Sequence, residues 1–333
     1  MNGFERRIVV AIVGLLAAPS AAWAQPIVEE HFLTDATPSG PEYSLGALTP
    51  QNPTSLGFSG GWFTSNGNSA TVLGTSLNYT GSGYPAETGG SIQSPTSNSR
   101  VHRLLAPATN PFEPTDSGTV YLSFLLQTGT NNGYRAFEMH NGGNDDAAHR
   151  TLQIGNSSFT DFAPTNPNQF GFRVNNNNSF RFLLGAEDAN VHLFLVKFVL
   201  STTNNADTIT VWNNPNLASL PNDPPGGVVA TGFNFAADRL GAAHFTGTAY
   251  NFDELRIGRT ISEVFSDFLF CDLNGNGVCN SSDLEILSRT CFCRVRLRMA
   301  TSTAAGWSTS PTSACSRTIR RGWSVSIRRG RAG

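Results

Sequence analysis

Apolar and polar residues alternate with a period of two in several segments between residues 25 and 268, a pattern typical of half-buried β-strands. The clearest case is residues 169–185, where apolar residues recur at every second position on both sides of four asparagines at 175–178. Asparagine tolerates a positive φ, so these asparagines predict the turn of a β-hairpin. Alternation or a continuous apolar run predicts further strands at residues 118–129, 191–201, 208–212 and 250–258.

Helical patterns are missing from the same region. No apolar repeat at helical spacing extends over about ten residues or more, and clusters of Gly, Pro, Asn and Ser separate the predicted strands. Only 14% of the chain is charged and 10% is aromatic, which favours strands because good helix formers are scarce. About ten short strands over roughly 240 residues predict an all-β sandwich or jelly roll in one domain.

The N-terminus has the pattern of an export signal. Two arginines precede an apolar run at residues 8–18, and Ala22 and Ala24 occupy the positions that a signal peptidase recognises. We therefore predict a signal peptide at 1–24, cleaved after Ala24. A membrane anchor is the alternative, but the run falls short of the roughly 20 residues that span a bilayer. The mature protein is expected to be secreted, extracellular or at the cell surface, with no membrane span and with disulfides allowed.

Charge is distributed unevenly along the chain. Residues 25–288 hold 10 basic and 23 acidic residues, a net charge of −13, which argues against nucleic acid as a partner. Residues 289–333 hold ten arginines and no acidic residue. This tail is interpreted as disordered or as the product of a changed reading frame near Arg289; a basic tail for an anionic partner is the alternative.

The segment CDLNGNGVCNSSDLEIL, residues 271–287, has the spacing of a calcium-binding loop. Counted from Asp272, oxygen-bearing side chains occupy the first, third, fifth, ninth and twelfth places, a glycine permits the turn at the sixth, and the seventh offers its backbone carbonyl. The predicted ligands of one Ca²⁺ ion are Asp272, Asn274, Asn276, Val278, Asn280 and Asp283. Only two of them are carboxylates, so the affinity is expected to be modest. A metal-free surface turn is the alternative.

The residues around the loop add two expectations. Residues 282–285, Ser-Asp-Leu-Glu, have the pattern of a capping box, so the loop is predicted to open a helix. Cys271 and Cys279 bracket the loop, and in an exported protein a disulfide between them is a hypothesis that the spacing allows.

This loop-helix segment, which ends in Asp rather than Glu, resembles the calcium repeat of type I dockerins. The resemblance implies that Ser281 and Ser282, just before the last ligand, contact a cohesin-like partner. Dockerins carry two such repeats. No Asp or Glu follows Glu285, so a second repeat is not expected.

Four short motifs in the body resemble the concanavalin A-like, laminin-G-like sandwiches of exported proteins from planctomycetes and related bacteria. They are VEEHF at 28–32, the Gly61-Trp62 pair, TITVWNNP at 208–215 and FDELRIG at 252–258. The resemblance implies a jelly-roll sandwich at residues 25–268. A short calcium module at 269–288 follows it, and the arginine-rich tail at 289–333 completes the chain.

Catalytic patterns are not found. Glycoside hydrolases need two carboxylates across one bond, and the nearest approach is Asp253-Glu254, adjacent residues that point to opposite faces of a strand. We interpret one of them as a partner of Arg256. The six histidines form no His-x-His or His-x-x-x-His pair, so their spacing supports no zinc site. Four aromatic residues near loops are candidates for stacking on sugars, although core packing is the commoner role: Trp62, Tyr79, Tyr84 and Trp212.

These patterns predict an exported, non-catalytic protein of binding or assembly. Its sandwich is expected to recognise a glycan or another surface ligand. Its dockerin-like repeat would dock to a cohesin-like or cell-surface partner, and the resemblance implies a place in polysaccharide degradation. The alternatives are a glycoside hydrolase or lyase on the sandwich, and a structural cell-surface protein.

Overall fold

The computed structural model describes residues 25–34, 42–81, 84, 89–129, 133–142, 148–156, 169–176, 181–220, 222–245 and 249–265. The predicted signal peptide, calcium repeat and arginine-rich tail lie outside these residues. So do the individual residues predicted there, which are Asp272, Asn274, Asn276, Val278, Asn280, Asp283, Ser281, Ser282, Cys271 and Cys279.

Sixteen strands lie within the described residues. They are β1 Val28–Glu30, β2 Gly46–Ala47, β3 Phe58–Gly67, β4 Thr71–Leu73, β5 Ser91–Gln93, β6 Ser99–Leu105, β7 Gly118–Gln127, β8 Arg135–His140, β9 Arg150–Asn156, β10 Gln169–Val174, β11 Arg181–Ala186, β12 Val191–Leu200, β13 Asp207–Asn213, β14 Val228–Phe233, β15 Arg239–His244 and β16 Asn251–Gly258. The described helix content is one 3₁₀ turn, Leu217–Ser219. None of the described helices has the length and apolar character needed to cross a membrane.

The strands form two antiparallel sheets. In the described residues the larger sheet has nine strands in the order β14-β13-β12-β7-β16-β5-β4-β2, with β1 also paired to β16. The smaller sheet has seven, in the order β11-β10-β9-β8-β15-β6-β3. The consecutive strands β15 and β16 lie in opposite sheets. β15 lies between β8 and β6, and β16 lies between β7 and β5. The chain thus crosses between layers as in a jelly roll, and the predicted all-β sandwich is confirmed.

Aromatic side chains from both sheets meet in the core. The ring of Phe124, on β7 of the larger sheet, stacks at 4.6 Å from that of Phe137, on β8 of the smaller sheet. The ring of Phe194, on β12, stacks at 5.2 Å from that of Phe124. Inward-facing residues of the two layers therefore interdigitate as in other packed sandwiches.

A second apolar layer covers the outer face of the larger sheet. Leu125, Leu193 and Leu195 face away from the main core and pack with Val264 and Phe265, which follow the last strand. Strands β7 and β12 are therefore buried on both faces. This explains why residues 118–129 and 191–201 are continuously apolar where a half-exposed strand would alternate.

The predicted hairpin at residues 169–185 is confirmed for its described part. β10 and β11 pair antiparallel, and Asn175 and Asn176 both have a φ of 49°. The other strands predicted from alternation correspond to β7, β12, β13 and β16.

Candidate functional site

A row of polar residues crosses the smaller sheet on the face turned away from the core. Phe137 and Met139 belong to the core, so Glu138 and His140 between and after them point to the other face. The strand register places Gln153 opposite Glu138 on one side and Gly241 opposite it on the other, and Gly241 is in turn opposite His102. Four strands thus bring these side chains into one line, although they are distant in the sequence.

Glu138 is the centre of this row. Its Oε2 accepts a hydrogen bond of 2.8 Å from Nε of Arg100, and its Oε1 accepts one of 2.9 Å from Nη1 of Arg150. The hydroxyl of Tyr134 also donates to Oε1. Burial by itself would raise the pKa of Glu138, but the positive charge of Arg100, the close contacts with His102 and His140 and the charge of Arg150 hold it well below its usual range. Glu138 is therefore an ionised carboxylate at neutral pH.

His140 is held by the same carboxylate. Its Nε2 lies 3.2 Å from Oε2 of Glu138, and burial lowers the pKa of His140 below its ordinary value although Glu138 acts in the opposite direction. The neutral ring then donates from Nε2 and presents an unprotonated Nδ1. That Nδ1 is buried and has no hydrogen-bond partner in the structure as described.

His102 completes the group from β6. Its Nε2 lies 3.7 Å from Oε2 of Glu138, and its ring meets that of His140 edge to face at 4.5 Å. Gly241 makes this approach possible, because a Cβ at that position would lie 1.9 Å from the carbonyl oxygen of Val101 and 2.7 Å from the His102 ring. We call His102, Glu138, His140 and Gln153, with Tyr134 and the arginines Arg100, Arg150 and Arg173, the Glu138 cluster.

Three side chains of the Glu138 cluster are of types that bind metal ions. One ligand atom each from His102, Glu138 and His140 lies within 4.8 Å of the others, which is close enough for a shared ion. However, both oxygens of Glu138 already accept from guanidinium groups at 2.8 and 2.9 Å. A divalent cation there would add two positive charges beside two buried arginines, at a large electrostatic cost. The cluster is better described as a network of ion pairs.

A second feature is a cleft at one end of the sandwich, with a volume of about 430 Å³. Its walls come from β9 and the β10–β11 hairpin of the smaller sheet, from the β12–β13 connection of the larger sheet, and from the β14–β15 connection that joins the two sheets. Amide and hydroxyl groups dominate the lining residues, which include Asn141, Thr151, Asn175, Ser201, Asn204 and Asn234. We call this the end cleft.

Hydrogen bonds between the loops fix the shape of the end cleft. The side-chain Nδ2 of Asn234 donates to Oδ1 of Asn204 at 2.6 Å, and Nδ2 of Asn175 donates to the carbonyl oxygen of Asn234 at 2.8 Å. The charged residue of the lining is Asp207, whose two oxygens accept from the backbone N–H groups of Ser201 and Phe235 at 2.8 and 2.6 Å. With that carboxylate occupied, the cleft offers mostly neutral hydrogen-bonding groups.

The structure places Asp253 and Glu254 as expected from the sequence. Asp253 accepts from Ser76 Oγ and the backbone N–H of Leu77, whereas Oε2 of Glu254 lies 3.2 Å from Nη2 of Arg256. The interpretation of one of the pair as a partner of Arg256 is confirmed. The two carboxylates serve different neighbours and do not face one shared bond.

The four candidate sugar-stacking aromatics are buried. The relative solvent exposure is between 2% and 8% for each of them, Trp62, Tyr79, Tyr84 and Trp212. Trp62 donates from Nε1 to the Tyr43 hydroxyl, and Trp212 donates to the carbonyl oxygen of Pro224. The core interpretation is therefore confirmed for all four.

The sequence interpretation missed the Glu138 cluster. Its strands β6, β8, β9 and β15 contain buried arginines, histidines and glycines, which weaken the apolar alternation. One indication was present, because Glu138-x-His140 has the period of two that puts both residues on one strand face. The partner His102 is 36 residues earlier and enters only through sheet register.

No family model matches the chain. No curated protein matches it either. Among solved structures, the chain is similar to endo-β-1,4-glucuronan lyase from the fungus Trichoderma reesei, with 12% identity and a TM-score of 0.36 over 67% of this chain and 98% of that one. It is also similar to the globular domain of T. cruzi calreticulin, with 11% identity and a TM-score of 0.38 over 69% of this chain and 95% of that one.

A third similar structure is the seed lectin of Lotus tetragonolobus, with 10% identity and a TM-score of 0.34 over 56% of this chain and 96% of that one. At these values the likeness reaches no further than the general arrangement of strands.

Proposed function

We propose that this is an exported binding protein whose sandwich recognises a glycan in the end cleft. The observation that carries the proposal is the cleft itself, about 430 Å³ in volume and lined mainly by asparagine, serine and threonine side chains. This volume lies within the range of small-molecule sites, which is roughly 300–1,000 Å³. Sugars present many hydroxyl groups and need both donors and acceptors, which amide side chains supply.

Preorganisation supports the same proposal. Asn175 and Asn205 both have a positive φ, and the mutual hydrogen bonds of the cleft asparagines hold the loops in place without a ligand. A ligand that binds a fixed cleft loses less free energy to the ordering of loops.

The remaining parts of the proposal rest on the sequence motifs. The calcium loop at residues 271–287 would order a docking segment, and Ser281 and Ser282 would contact a cohesin-like or cell-surface partner. The protein would then attach a glycan-binding sandwich to an assembly that degrades polysaccharides.

The test is a glycan array followed by calorimetry with the mature protein. Asn234→Ala removes the amide that holds Asn204 and accepts from the Asn205 backbone, and we expect it to weaken binding of any array hit by about ten-fold or more. Asn66→Ala, at an exposed asparagine on β3, is the matched control and should leave the affinity unchanged. An array without binders, or equal affinities for the two variants, would contradict the proposed function.

A further inference from the structure

The backbone fixes which way the amide side chains of the end cleft are turned. The carbonyl oxygen of Asn234 can only accept, so Nδ2 of Asn175 faces it at 2.8 Å. The backbone N–H of Asn205 can only donate, so Oδ1 of Asn234 faces it at 2.6 Å, and Nδ2 of Asn234 is turned to Oδ1 of Asn204. The orientations of all three amides therefore follow from backbone groups that have one role each.

This arrangement leaves one acceptor and one donor for a ligand. Oδ1 of Asn175 and Nδ2 of Asn204 have no protein partner in the described part of the chain, and both residues are exposed in the lining of the cleft. A hydroxyl group can donate to the first and accept from the second, whereas a carboxylate can only accept. The two atoms thus match the hydroxyl groups of a sugar better than they match an acidic group.

The charge of the end cleft favours the same class of ligand. No arginine, lysine or histidine is among the described lining residues, and both partners of the Asp207 carboxylate are backbone N–H groups. Arg150 and Arg173 both donate to Asn176 beside the cleft, but they are 5% and 7% exposed and are not part of its lining. An acidic sugar would therefore bring its negative charge near that of Asp207, with no lining cation to offset the repulsion.

An aromatic platform for stacking is not found in the described lining. Its aromatic residue, Phe235, is 3% exposed, and the ring lies 4.9 Å from that of Phe198 and 5.6 Å from that of Phe112. The Phe235 ring is thus part of the core, so hydrogen bonds to hydroxyl groups are the main contacts that the cleft can offer.

We propose that the end cleft selects uncharged sugar units, whose ring hydroxyls bind Oδ1 of Asn175 and Nδ2 of Asn204, and that it excludes uronic acids. Asn234 is a positioning residue, because its carbonyl oxygen and its Nδ2 hold the other two amides. The inference rests on the proposed function in that a glycan occupies the cleft, and it adds the class of sugar and the atoms that bind it.

The experiment is calorimetry of the mature protein with pairs of tetrasaccharides that differ only in the carboxylate. The pairs are 1,4-linked β-glucose and β-glucuronate, β-mannose and β-mannuronate, and α-galactose and α-galacturonate. We expect at least one neutral tetrasaccharide to bind, and its acidic counterpart to bind more weakly by about ten-fold or more at low salt. Added salt should leave the affinity for the neutral sugar unchanged and reduce the difference, because salt screens the repulsion by Asp207.

The variant Asn204→Asp tests the donor atom. It keeps Oδ1 for Asn234 and replaces the free Nδ2 by an oxygen. We therefore expect it to weaken binding of the neutral tetrasaccharide by about ten-fold or more, with little change in the melting temperature. Asn66→Asp makes the same chemical change at an exposed asparagine on β3, at the far edge of the smaller sheet, and should leave the affinity unchanged.

The outcomes distinguish this inference from the proposed function. Equal or tighter binding of the acidic tetrasaccharides, or equal affinities of Asn204→Asp and Asn66→Asp for the neutral one, would overturn the inference and leave a glycan site in the cleft. Heat from none of the six tetrasaccharides would also overturn the inference, and the proposed function would fall with it where the glycan array shows no binder either.

Discussion

Nδ1 of His31 lies 2.7 Å from Oε2 of Glu254, and this contact ties the first described strand to the last. Nε2 of the same ring lies 2.7 Å from Oε1 of Glu29. Burial by itself would lower the pKa of His31, but the hydrogen bonds that its ring donates to Glu254 and Glu29 and the charge of Glu254 raise it to about 10. His31 is therefore a permanent cation between two carboxylates at neutral pH.

The His31 contacts predict that the folded protein becomes less stable as the pH rises into the alkaline range. Because the pKa of His31 is higher in the folded state than its ordinary 6.5, its contribution is complete below pH 6.5 and is lost as the pH rises towards 10. We expect the melting temperature to fall across this window, and the fall to be smaller in His31→Gln. The NMR signal of the ring should still report the protonated form at pH 8. A ring that titrates near 6.5 would contradict this assignment.

Glu187 should give a pH dependence in a different window. Burial raises its pKa to about 7, although Nη2 of Arg135 lies only 2.9 Å away. A carboxyl group with a raised pKa contributes stability below its ordinary 4.5 that is lost as the pH rises through 7. Glu187→Gln resembles the protonated form, so we expect it to cost little at pH 5.

At pH 8 the unaltered protein has lost this contribution because the carboxyl group of Glu187 is ionised, whereas the variant has no group that titrates there. We therefore expect Glu187→Gln to gain about 2 kcal/mol of stability relative to the unaltered protein between pH 5 and pH 8. Urea denaturation of both proteins at pH 5 and pH 8 measures the difference. Glu113→Gln, at an exposed acid between β6 and β7, is the control. An equal difference in stability between Glu187→Gln and the unaltered protein at the two pH values would show that Glu187 does not titrate in this range.

The sequence predicted those strands whose side chains alternate or are uniformly apolar, and their number predicted an all-β sandwich or jelly roll. Tyr43 connects two of the sequence motifs, Val28–Glu30 and Trp62. Its hydroxyl accepts a hydrogen bond from Trp62 Nε1 at 2.7 Å and donates one to Glu30 at 2.5 Å. Tyr43 itself belongs to no motif. Its role follows from a long-range contact, and such contacts leave no local pattern in the chain.

The candidate site was less predictable for the same reason. Glu138, His102 and Gln153 lie on three strands that only the sheet register aligns. Burial of charged residues also runs against the usual preference, so their strands lacked the expected apolar alternation. Local conflicts between sequence and structure of this kind are expected at functional positions.

Gly241 should be one of the least replaceable positions in the smaller sheet. A methyl group there would lie 1.9 Å from the carbonyl oxygen of Val101, so Gly241→Ala must displace β6 or the His102 ring. We expect a loss of about 2–3 kcal/mol or more in the free energy of unfolding, which chemical denaturation would measure. Gly74→Ala is the control, since its methyl group would meet the flexible, exposed Leu45 side chain at 3.3 Å and Oγ1 of Thr34 at 3.9 Å, and no backbone atom among its nearest neighbours. Similar stabilities for the two variants would contradict the packing argument.

The calcium loop at residues 271–287 is testable in the mature protein. We expect calorimetry to show one saturable Ca²⁺ site of modest affinity, because only Asp272 and Asp283 contribute carboxylates. Asp272→Asn should weaken that site by about ten-fold or more, since it removes one of the two charges that compensate the ion. Glu113→Gln, at an exposed acid in the sandwich, is the control and should bind Ca²⁺ like the unaltered protein. Absence of heat on titration, or equal heats for the two variants, would remove the loop as a calcium site and with it the ordering step proposed for docking.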